Sequence, residues 1–112
     1  MTDDRFEELV GDAIASLPDE LAGAMENVVV LVEDEAVGRN LYGLFEGVPL
    51  TKRGPMSYRW ALPDRITIYQ NAICRHCNDE DEVRAQVRKT VIHEIAHHFG
   101  ISDPRLEELG WA

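Results

Sequence analysis

From Asp3 to Leu17 the apolar residues Phe6, Leu9, Val10, Ala13, Ile14 and Leu17 recur at intervals of three, one, three, one and three, with acids between them. That is the period of one face of an amphipathic helix packed on a core. Pro18 stops it, and Asp19–Met25 can add another short turn or two. Asn27–Val32 is too short and too β-branched for a helix, so it predicts a strand buried on both faces. Seven glycines and prolines between residues 34 and 65 break every long period, which predicts a short strand near Leu41–Glu46 and an exposed loop around Lys52–Tyr58. Arg65–Gln70 alternates Ile66 and Ile68 with Thr67 and Tyr69, the pattern of a strand with one buried face. Asn78 then reads as the N-cap of a helix whose first turn, Asp79–Glu82, complements the helix dipole. Val83, Val87, Val91 and Ile95 form its core stripe, and Gly100 is its left-handed stop after about Phe99. Asp103-Pro104 caps and opens a last helix ending near Gly110.

A chain of 112 residues is expected to fold as one domain, and 45% hydrophobic with 29% charged residues excludes a disordered tail or a membrane protein. Residues 1–50 hold 12 acids and 2 bases, whereas residues 51–112 hold 9 of each, so the whole net charge of −10 lies in the first half. Nucleic acid and anionic membranes both demand a basic footprint, and neither is expected as a partner. The acidic N-terminus lacks the basic start and apolar run of a secretory signal, so a cytoplasmic monomer is the expectation.

Chemistry is concentrated in His93-Glu94-Ile95-Ala96-His97, an H-E-x-x-H motif on the predicted long helix. At about 100° per residue His93 and His97 lie one turn apart on one face, with Glu94 within about 60° of His97. Apolar residues surround these three, and a polar cluster in such company is costly unless satisfied; a Zn²⁺ held by two neutral imidazoles satisfies it. Catalytic zinc sites take a third protein ligand. Gly100 lets the chain reverse, and Asp103 arrives six residues after His97 to complete H-E-x-x-H-x-x-G-x-x-D. The bare motif arises by chance in roughly a few of every thousand such chains, and the added glycine and aspartate reduce that about a hundredfold. Asp103 is also an N-cap candidate, and one carboxylate can serve both roles; Glu107 and Glu108 are the alternative third ligands.

The motif, together with the strand Pro63-Asp64-Arg65-Ile66-Thr67-Ile68-Tyr69, resembles the minimal zincin-like metallopeptidases of bacteria from about Met25 onward. The aspartate variant is also similar to the zinc motif of snapalysin-type proteases. The resemblance implies an α+β fold, a small mixed sheet packed on a long zinc-bearing helix. It further implies a zinc-dependent metallopeptidase acting on a peptide or protein, with His93, His97 and Asp103 as zinc ligands. Glu94 would be the general base toward a zinc-activated water. Only nine residues follow Asp103, so the Met-turn of true metzincins is not expected. By analogy Arg65–Gln70 is the edge strand that takes up the peptide, and Tyr69 or His98 is a candidate oxyanion donor.

Cys74-Arg75-His76-Cys77 is a C-x-x-C without the second pair of a zinc ribbon, and two reduced thiols is the reading it favours. Proximity to a helix N-terminus predicts a lowered pKa for Cys77. Trp60 and Trp111 read as packing residues. Two rival functions follow: a non-catalytic interaction domain stabilised by the same zinc, and a thiol-redox protein using Cys74 and Cys77.

Overall fold

A computed structural model describes residues 1–38, 41–47 and 64–111. The loop expected at Lys52–Tyr58 and Trp60 lie outside the described residues. In chain order the elements are α1 (Asp3–Ala15), α2 (Asp19–Ala24), β1 (Val28–Glu33), β2 (Gly43–Glu46), β3 (Asp64–Tyr69), α3 (Gln70–Cys74), α4 (Glu80–His98) and α5 (Asp103–Leu109). The expected α+β architecture is present: a small mixed sheet beside a long helix.

Phe6, Leu9, Val10 and Ala13 of α1 are buried, as their helical spacing requires, and α1 packs along α4. Arg5 reinforces that seam with a fork on Glu80, Nε donating at 2.8 Å and Nη2 at 2.7 Å, which holds the Glu80 carboxyl below the usual carboxylate range. The predicted stripe Val83, Val87, Val91 and Ile95 is buried throughout, joined by Thr90, Ile92 and Ala96. The α4 cap is one residue later than expected. Asp79, not Asn78, accepts from Glu82 N–H at 2.8 Å, and Glu82 reaches back to accept from Asn78 N–H at 2.6 Å. This is a capping-box exchange displaced by one residue, and it satisfies one orphan donor of the helix, Glu82 N–H, and the N–H of the residue before the cap.

Two strand expectations are reversed. The sheet order is β1-β3-β2, with β1 parallel and β2 antiparallel to β3. β3, expected to bury one face, is central, and Ile66 to Tyr69 are all buried. β1, expected to bury both faces, is an edge strand that alternates half-buried Val28, Val30 and Val32 with Val29 and Leu31, the latter two 40% and 39% exposed. Burial of both faces needs elements packed above and below the sheet, and β1, with one strand neighbour among the described residues, is covered on one face only.

The β2 strand lies close against α4. A Cβ on Gly43 would stand 2.6 Å from Thr90 Cγ2 and 3.1 Å from the Thr67 carbonyl oxygen, neither of which can retreat freely. Gly43→Ala is therefore expected to destabilise the fold by about 1–3 kcal/mol through overpacking. Urea denaturation checks this, and adding Thr90→Ser, which removes the opposing methyl, should recover part of the loss.

Candidate metal and catalytic site

Formation of the site begins where α4 ends. Gly100 adopts φ +76°, and a Schellman pair closes the helix: Gly100 N–H donates to His97 O at 3.1 Å and Ile101 N–H to Ala96 O at 2.8 Å. The chain thereby turns back across the last turns of α4. Ser102, not Asp103, then caps α5, its Oγ accepting from Arg105 N–H at 3.3 Å. This relieves Asp103 of the capping role expected for it. Its carboxylate is turned to the histidines instead. A Ser two residues ahead of a helix-opening Pro is the sequence signal that marks the cap.

Asp103 Oδ1 lies 3.2 Å from His97 Nε2 and 3.5 Å from His93 Nδ1, and the two imidazole centroids are 4.1 Å apart. One donor atom from each of the three residues falls within 4.8 Å of the others. Ligands at about 2.0–2.2 Å around a tetrahedral Zn²⁺ stand about 3.4 Å from one another, and the two spacings from Asp103 to the imidazoles match that. Two neutral imidazoles and one carboxylate are also the borderline N/O set that zinc accepts. All three side chains are partly exposed, which leaves an approach for water and substrate. Glu107 lies along the neighbouring hollow and Glu108 is paired with Arg105, so neither joins the cluster.

Glu94 stands next to His93 on the side facing the sheet. Its Oε2 accepts from Phe45 N–H at 3.4 Å, a long bond that places the outer edge of β2 against the motif. This tie escaped the sequence reading, because a backbone donor has no residue-type signature. With β3 central, the expectation that Arg65–Gln70 is the peptide-binding edge fails: both sides of β3 are already paired, with β1 and β2. Among the described residues β2 has no strand partner on its outer side, and it is the edge beside Glu94.

Tyr69 is only 6% exposed in the core, and His98 stacks on Phe45 at 4.2 Å between ring centroids. The C-x-x-C cysteines are free and border a separate hollow of about 520 Å³ with Thr2, Arg5 and Glu80. Burial raises both thiol pKa values, and for Cys77 the charges of Glu82, Cys74 and Asp79 raise it further. The direction at Cys77 is thus opposite to the expected lowering: burial, with the nearby charges of Glu82, Cys74 and Asp79 adding to it, outweighs the helix dipole. Trp111 packs half-buried against the core, its backbone N–H donating to Leu106 O at 3.0 Å.

A small mixed sheet laid beside a helix that carries H-E-x-x-H, with an acidic residue brought back by the turn beyond it, defines a zincin-type domain. The profile of the family described as zincin-like metallopeptidase matches residues 25–111, and the chain belongs to that family. A solved structure, a conserved hypothetical protein from Thermus thermophilus, superposes with a TM-score of 0.57 at 22% identity over 97% of each chain, which shows a shared fold. No curated protein matches the chain. No helix among the described residues is long and apolar enough to cross a membrane.

Proposed function

We propose that the protein is a zinc-dependent metallopeptidase in which His93, His97 and Asp103 hold the metal and Glu94 is the general base. The observation that carries this is the sharing of Asp103 Oδ1 between two histidines one helical turn apart, with Glu94 immediately beside them. A bound zinc ion would supply an acidified water and a Lewis acid for the peptide carbonyl. Phe45 N–H holds Glu94 through Oε2, leaving Oε1 to take a proton from water and return it to the departing amine nitrogen. The outer edge of β2 offers backbone groups to an extended peptide, which aligns its scissile bond along α4. The thiol-redox reading draws no support from two thiols whose pKa values burial raises.

Native mass spectrometry and a peptide-library digest test the proposal together. One zinc per chain is expected in the wild type, with affinity reduced at least about tenfold in Asp103→Ala, the loss typical of disturbing even an outer-shell partner. The loaded wild type should cut a subset of the library and stop on chelation. A zinc-loaded protein that cleaves nothing across a diverse library would leave the metal as a staple between α4 and α5 and overturn the enzymatic reading.

A further inference from the structure

Lys89 occupies a position that the metal site does not use. It lies one turn before His93 on α4 and borders two hollows that flank that histidine. One, of about 330 Å³, runs between Tyr42 and Gly43 at the start of β2 and Gln86 and Lys89 of α4, and ends at His93 and Glu94. The other, of about 660 Å³, continues from Lys89 and His93 past Asp103 and Glu107 to Trp111. Arg5, Arg65, Arg75, Arg84 and Arg105 each engage a carboxylate, by way of Glu80, Glu46, Glu35, Asp12 and Glu108 respectively. Among the described residues only Arg88 and Lys89 lack such a partner, and Arg88 borders neither hollow. The surplus of acid on this chain has therefore quenched its described cations nearly everywhere except beside the site.

We infer that Lys89 is a specificity-determining residue that binds a carboxylate of the peptide substrate. This inference rests on the peptidase reading. Four helical residues advance about 6 Å, and an extended peptide rises about 3.3 Å per residue, so the carboxylate belongs about two residues from the scissile bond. It comes from an acidic side chain or from the peptide's own C-terminus. Either completes the ion pair that the fold leaves open. Glu94, Asp103 and Glu107 line the same hollows, so apart from a metal on the histidines Lys89 is, among the described residues, the cationic side chain there able to anchor such a group.

Three peptide pairs separate the sources: Glu against Gln two residues before the cleaved bond, Glu against Gln two residues after it, and a free C-terminus against an amide. Affinity is read from tryptophan fluorescence on zinc-loaded Glu94→Gln protein, which binds peptides without cutting them. One carboxylate-bearing peptide should bind about fivefold more tightly than its neutral mate, as befits an exposed pair, and less so as salt rises. Lys89→Gln should erase that preference, and Lys89→Glu should reverse it in favour of a Lys-bearing peptide. Equal affinity within all three pairs, or a preference that survives Lys89→Gln, overturns the inference. Cleavage of the same peptides by the wild type is scored separately. Cleavage without charge preference sinks this inference alone, whereas charge-selective binding without cleavage sinks the peptidase reading and leaves Lys89 as a carboxylate anchor.

Discussion

Glu94→Gln is expected to lower kcat/KM for every cleaved peptide by about 10²–10⁴ while zinc content and thermal stability stay at wild-type values. The substitution preserves side-chain length and keeps an amide oxygen able to accept from Phe45 N–H, so the 3.4 Å tie between α4 and β2 survives. What it removes is the basic oxygen. An amide cannot take a proton from water near neutral pH or deliver one to the leaving amine, and the loss corresponds to about 3–5 kcal/mol of transition-state stabilisation. KM should change far less than kcat, because Glu94 acts on the reacting water and not on the bound peptide. Zinc analysis alongside the kinetics separates this outcome from metal loss: a Glu94→Gln protein that has lost its zinc would point to Glu94 as a ligand, and one that retains full activity would remove it from the mechanism.

The candidate site was legible in the sequence because its parts are local. His93, Glu94 and His97 lie within five residues on one helix, and helical geometry alone brings them to one sector. Gly100 and Asp103 follow at short fixed offsets, and a left-handed turn delivers the one to its bend and the other to the histidines. The helices were legible for the same reason, since the buried stripes on α1 and α4 follow a period that each helix contains within itself. What could not be read depends on neighbours distant in the chain. Strand order decides whether an apolar run has one neighbour or two, and nothing within Val28–Glu33 or Asp64–Tyr69 encodes which of them is central. The same blindness hid the Phe45 contact and the central place of β3. At Cys77 proximity to a helix end suggested one sign, but desolvation and three nearby acidic groups determine the other.

That exchange of central and edge strands makes the second large effect a comparison between two residues. Ile68→Ala is expected to cost about 2–5 kcal/mol, and Val29→Ala less than about 1 kcal/mol. Alternation in Arg65–Gln70 and the unbroken run in Asn27–Val32 bury both residues and suggest comparable losses. Ile68 is fully buried on a strand paired along both sides, so its truncation leaves a cavity that rigid neighbours cannot fill. Val29 sits 40% exposed on β1, and much of its side chain is already in contact with water. Domains of this size are stable by about 5–15 kcal/mol, so the first change consumes a large share and the second a small one. Urea denaturation with matched m-values measures the difference, and equal losses at the two positions would contradict the strand order. A consequence for the site follows from register. Ile68 is paired with Gly43, and β2 continues from there to Phe45, whose N–H holds Glu94. The cavity should therefore loosen β2 against α4, lowering kcat at temperatures where the protein is still folded, whereas Val29→Ala, on the far edge of the sheet, should leave kcat unchanged.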